Sequence, residues 1–90
     1  MKTIALDDLT IALAIKVPGS RVAFLQSLFE SCEGVGSVRT IDIQRGEVII
    51  MTTPDQLAEC KQILEDEKEQ LKWSPDSQLN KDELEKIFDW

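Results

Sequence analysis

A chain of 90 residues has room for one domain with a thin core, and its 42% apolar and 30% charged content is ordinary for a globular protein. The net charge of −7 repels phosphates, so neither nucleic acid nor an anionic membrane is expected as a partner. No apolar run approaches the roughly 18–20 residues of a membrane span, and Met1–Asp8 lacks a signal peptide's apolar stretch and cleavage site, so a cytoplasmic location is expected.

The acid is unevenly spread. Residues 1–64 carry 8 Asp and Glu against 6 Lys and Arg, whereas residues 65–90 carry 9 against 4. A basic protein surface would be drawn to that C-terminal stretch, mainly through faster encounter, although solvated charge also serves solubility alone. Two cysteines, Cys32 and Cys60, without any histidine cannot complete a zinc site. No metal or cofactor is expected. Each cysteine falls on the apolar face of a predicted helix, where a reduced thiol packs as a small hydrophobe.

Residues 2–6 alternate weakly before the turn-like pair Asp7-Asp8 and read as a short strand or an arm. Ile11, Leu13, Ile15 and Val17 then alternate with Ala12, Ala14 and Lys16, the period of a strand with one face on a core. The small alanines make the second face shallow, open to being covered. Pro18-Gly19-Ser20 ends this strand and starts a helix with Ser20 as its expected N-cap. Val22, Leu25, Phe29 and Cys32 form its apolar stripe, and Gly34 suits a left-handed cap.

A β-hairpin follows, with strands near Val38–Ile43 and Glu47–Thr52 and a turn at Gln44-Arg45-Gly46. Thr40 and Asp42 are expected on one face and Arg39 on the other. Val48-Ile49-Ile50-Met51 is apolar on both faces, the pattern of a central strand. Thr53-Pro54-Asp55-Gln56 starts a second helix, with Leu57, Cys60, Leu64 and Leu71 on its apolar stripe and a largely charged end near Lys72. Trp73-Ser74-Pro75 breaks that pattern. Asn80-Lys81-Asp82-Glu83 then repeats the capping logic ahead of a short helix with Leu84, Ile87 and Phe88 on one face.

The order strand, helix, strand, strand, helix places the chain in the α+β class as a ferredoxin-like split βαβ unit. The expected sheet is antiparallel-centred, with both helices on the Ile11–Val17 core face and an acidic C-terminal helix added. Residues 1–72 form the expected domain and 73–90 an extension without a strand. The unpaired edge of Ile11–Val17 needs cover. Thr3–Leu6 hairpinning back, or a second copy forming a homodimer, would supply it.

The strand–Pro18-Gly19–helix junction resembles that of ACT domains, although Lys16 and Val17 stand where that family commonly has an acidic residue. The resemblance implies an amino-acid sensor with Gly19, Ser20 and Arg21 as ligand-binding positions. The run from Val17 to Leu64, with Glu30-Ser31-Cys32-Glu33-Gly34 and Val38-Arg39-Thr40-Ile41-Asp42, resembles an uncharacterised family of small bacterial ferredoxin-like proteins. That resemblance implies no known activity.

Three functional classes compete. A non-catalytic interaction module would use Trp73, Leu84, Ile87, Phe88 and Trp90 as partner-binding anchors together with the sheet, tryptophan being enriched at binding hot spots. The same residues folding back to close the small core is the structural alternative. A small-ligand sensor would use the Gly19–Arg21 junction, where free N–H groups suit a carboxylate. An enzyme is the third class. Its only polar cluster on a regular element is Arg39, Thr40 and Asp42, and no nucleophile–base pair or phosphate loop is readable.

Overall fold

The computed structural model describes residues 3–32 and 34–76. Within them five strands form one antiparallel sheet accompanied by three helices. The strands are β1 (Thr3–Ala5), β2 (Ile11–Lys16), β3 (Ser37–Asp42), β4 (Glu47–Thr52) and β5 (Ser74–Pro75). The helices are α1 (Val22–Ser31), α2 (Leu57–Asp66) and α3 (Lys68–Leu71), with a 3-10 turn at Gly19–Arg21 ahead of α1.

The sheet order is β1-β2-β4-β3, with β5 also paired to β2. β4 lies between β2 and β3, antiparallel to both, as its doubly apolar pattern predicts. Leu13 pairs with Ile50 and Ile15 with Val48, which stacks the apolar positions of both strands on one face. There they meet Val22, Leu25 and Phe29 of α1, Cys60 and Leu64 of α2, and Leu71 of α3. Each large aliphatic buried at this depth contributes about 1.5–3 kcal/mol. Ile11, at the end of the stripe, is only half-buried.

The opposite face holds a second, smaller core of Ile4, Leu6, Ala12, Ala14 and Ile49, with Ile41 and Met51 packed against it. Ala12 and Ala14 on the shallow face are thus fully buried, while Lys16 at its end is half-buried.

Of the two arrangements expected at the β2 edge, the intrachain one is found. β1 pairs along Ile11–Leu13 through a turn in which the Leu9 N–H donates to Asp7 Oδ1 at 2.8 Å. That bond is the main cause holding the Asp7 carboxyl below its ordinary pKa. β5 takes the remaining stretch, Ile15–Lys16, so the expectation that residues 73–90 lack a strand is corrected. Two residues ending in a proline carry no readable alternation, and only their partner makes them a strand.

Two helix starts differ from expectation. Ser20 caps neither the 3-10 turn nor α1, because the tight turn at Gly19–Arg21 precedes the helix and puts Ser20 inside it. Thr53 Oγ1 does accept from the Gln56 N–H at 3.3 Å, but it closes a separate turn, and α2 begins only at Leu57. Gly34 adopts the predicted left-handed conformation with φ +83°.

The second helix is also not a rod that ends in solvent. It breaks at Glu67, α3 turns Leu71 into the core, and Lys72 reverses the chain at φ 55°.

Candidate functional site

Trp73 was expected at the surface as a partner anchor, and the structure corrects this. Its side chain is 4% exposed and belongs to the main core. The indole Nε1–H donates to the Leu64 carbonyl at 2.7 Å, and Lys68 Nζ sits 4.5 Å from the ring centroid. Leu64 lies in the last turn of α2, where carbonyls lack helical partners, so the indole fills a need that the helix break creates. The core-closing alternative therefore holds for Trp73. Leu84, Ile87, Phe88 and Trp90, with the predicted helix that carries them, lie outside the described residues.

Beyond Trp73 the chain stays attached. After β5, the Asp76 N–H donates to the Ala14 carbonyl at 3.0 Å, and Asp76 is buried. The folded unit thus reaches past Lys72, where the sequence places its boundary. Asp76, the last described residue, thus lies at the edge of β2 rather than at the end of a solvated helix.

Gly19, Ser20 and Arg21 stand together at the start of α1, with Gly19 and Ser20 exposed. The β3–β4 turn presses on this junction. The Val17 N–H donates to the Gly46 carbonyl at 2.8 Å, and a Cβ on Gly19 would lie 3.4 Å from the Ile43 carbonyl oxygen. The hairpin turn thereby fixes where the β2 strand gives way to the helix.

The polar cluster on β3 is divided by a bulge. Thr40 pairs with Val48 and Asp42 with Glu47, so Ile41 is the extra residue. Adjacent β4 residues point to opposite faces, and Thr40 and Asp42 therefore do not share the face expected from their spacing. Asp42 Oδ1 instead accepts from the Gln44 and Arg45 N–H groups at 3.0 and 3.2 Å, closing the turn. Arg45 in turn bridges to Glu47 at 3.2 Å.

Cys60 is fully buried, and burial pushes its thiol pKa up to about 11, away from nucleophilic use. Cys32 is half-buried against the same core, and both thiols are free. Among the described residues no cluster of three or more Cys, Asp or Glu could hold a metal ion, and no helix is long and apolar enough to cross a membrane.

Two grooves were not anticipated from the sequence. One of about 390 Å³ lies at the end of the sheet among Thr10, Gly34–Ser37 and Met51–Thr53. The other, about 340 Å³, runs between α1 and β3, lined by Gln26, Phe29, Glu30, Ser37 and Val38. They share Gly36 and Ser37. Gly36 packs so closely that a Cβ would come within 3.2 Å of Ile50 Cγ2 and of the Met51 carbonyl oxygen. The run Gly34-Val35-Gly36-Ser37 between a helix and a strand is the one sequence signal that could have marked this place.

A family model described as a domain of unknown function (DUF4911) matches residues 15–70, which run from the last two residues of β2 through α2 and most of α3. No curated protein and no solved structure matches the chain.

Proposed function

The chain belongs to the DUF4911 family of unknown function, and for it we propose a non-catalytic protein-interaction module that acts through its acidic C-terminal segment and its sheet. One observation carries this reading. β5 and the Asp76–Ala14 bond fix the start of that segment on the edge of β2. Residues 77–90, which include Leu84, Ile87, Phe88 and Trp90 beside four acidic side chains, follow this attachment in the sequence. Acid in this stretch speeds encounter with a basic partner, and the apolar residues supply affinity.

In this reading the architecture is the ferredoxin-like split βαβ plan, with β1 and β5 jointly taking the place of its last strand. The setting is the bacterial cytoplasm. Comparative capture tests the function: the full chain should retain a basic partner that the Ile87→Ala, Phe88→Ala, Trp90→Ala triple variant loses, with circular dichroism showing both folded. Capture that is equal for the two proteins, or unaffected by salt, overturns the role of the segment.

A second reading, an ACT-like small-ligand sensor, is favoured by the exposed Gly19 and Ser20 at the start of α1, where no side chain caps the helix. A ligand that binds only the folded state raises the melting temperature. A thermal-shift screen of the amino acids in which none raises it removes this reading.

A further inference from the structure

We propose that α3, Trp73 and β5 form a latch with a second position, in which α2 and α3 join into one helix and β5 leaves β2. The two positions compete for a single acceptor. In an unbroken α-helix a carbonyl accepts from the N–H four residues on, so the Leu64 carbonyl would take the Lys68 N–H. Here the Trp73 indole takes it instead, at 2.7 Å. The break itself is one residue, Glu67, at φ −104° and ψ 14°. Its N–H still donates to the Ile63 carbonyl at 3.1 Å, and its carbonyl accepts from the Leu71 N–H at 2.9 Å, both helical bonds. A change of backbone angles centred on Glu67 therefore carries the broken form into the continuous one.

Local preference and tertiary contacts pull this stretch in opposite directions. Residues 65–70 consist of Glu, Asp, Lys and Gln, mostly good helix formers, so nothing local calls for a break. The closed position is held from farther along the chain. Leu71 and Trp73 are buried, Lys68 Nζ lies 4.5 Å from the indole centroid, and the Asp76 N–H donates to the Ala14 carbonyl at 3.0 Å. It also places Lys72 at φ 55°, the left-handed region that a residue with a Cβ enters at a cost. Joining the helices gives the Leu64 carbonyl back to Lys68 and swings Leu71 and Trp73 out of the core. β5 is then a displaceable cover on Ile15–Lys16. The latch is independent of any partner that the residues after Asp76 bind.

Amide exchange on the full chain, followed residue by residue, tests this with two substitutions of opposite sign. The Asp76 amide reports the latch, and so does that of Lys16, two residues from Ala14 and on the same side of β2. The amides of β4 report global unfolding. Trp73→Phe removes the donor that competes with Lys68, and should speed exchange at both reporters by roughly fivefold to a hundredfold. Glu67→Gly weakens the continuous helix more than the break. It should slow both reporters by about threefold, in the unaltered chain and in the Trp73→Phe background alike. A glycine that merely loosened its surroundings would speed them. The proposal is overturned if Glu67→Gly speeds these amides or leaves them unchanged, or if Trp73→Phe leaves them unchanged. Should Trp73→Phe unfold the chain, so that β4 exchanges as fast as the reporters, Glu67→Gly in the unaltered chain decides alone.

Discussion

The indole N–H of Trp73 donates to the backbone carbonyl of Leu64 across the break between α2 and α3, 2.7 Å away and out of contact with solvent. This bond ties the chain reversal at Lys72 to the end of α2 and so fixes where β5 meets β2. Trp73→Phe keeps an aromatic ring but orphans the carbonyl, which should cost about 1–3 kcal/mol. Trp73→Ala adds a cavity and should cost about 3–5 kcal/mol. Urea denaturation of the two variants measures both. A loss below about 1 kcal/mol for Trp73→Ala would place the indole outside the cooperative core.

Gly46 and Gly34 both have positive φ, +69° and +83°, yet only Gly46 is crowded. A Cβ on Gly46 would fall 2.3 Å from the Val17 carbonyl oxygen, whereas nothing lies within 4 Å of one on Gly34. Gly34→Ala should therefore cost only the left-handed backbone penalty, about 1–2 kcal/mol. Gly46→Ala must also push the hairpin turn off Val17, and should cost more. The difference between the two, read from chemical denaturation, isolates the contact that holds the turn on the strand–helix junction. Equal losses would mean that the turn yields freely.

The central strand was legible because its signal is local. Val48–Met51 is apolar on both faces, and only a strand flanked and covered on every side tolerates that. Ile50 is fully buried against the helices, so Ile50→Asn should cost on the order of 2–5 kcal/mol through lost packing and an unsatisfied amide. The alternation at Ile11–Val17 was readable for the same reason. What could not be read depends on contacts distant in sequence. The stretch Glu65–Gln70 is built of charged and polar residues that mostly favour helix, so it reads as one solvated rod. The break at Glu67 is set by Leu71 and Trp73 reaching the core. Thr40 and Asp42 looked like neighbours on one face because a bulge leaves no mark in the residue pattern. The grooves beside β3 likewise come from how α1 sits on the sheet, and only the glycines at 34 and 36 hint at them.

Cys60 couples stability to pH. Its folded pKa, about 11, lies above the ordinary 9.0 because burial penalises the thiolate. Between those values the folded chain holds a proton that the unfolded chain releases. The stabilisation is thus complete below pH 9 and declines as pH rises toward about 11. The loss should be on the order of 1–3 kcal/mol across that window. Cys60→Ala lacks the titrating group and should show a flatter profile there. Parallel profiles for the two proteins in thermal melts would mean that the thiol is not what titrates.

β1 and β5 divide one edge of β2 between them, and neither is long enough to hold alone. β1 pairs with Ile11–Leu13 and β5 with Ile15–Lys16, while the Asp76 N–H takes the Ala14 carbonyl. Such short pieces should open separately and at low cost, ahead of β4, which is paired on both sides. Ile4 is the buried residue of β1, packed on the alanine face, and Ile4→Ala should cost about 2–4 kcal/mol if β1 belongs to the cooperative unit. Removing residues 1–6 goes further: it bares the backbone groups of Ile11–Leu13 while leaving β5 in place. An uncovered edge is a template for pairing, so the shortened chain should self-associate as its concentration rises, with faster amide exchange at Ile11–Leu13 than at Ile15–Lys16. Sedimentation velocity and exchange together decide this. A shortened chain that stays monomeric, with exchange at Ile11–Leu13 unchanged, would show that β1 is not what protects the edge.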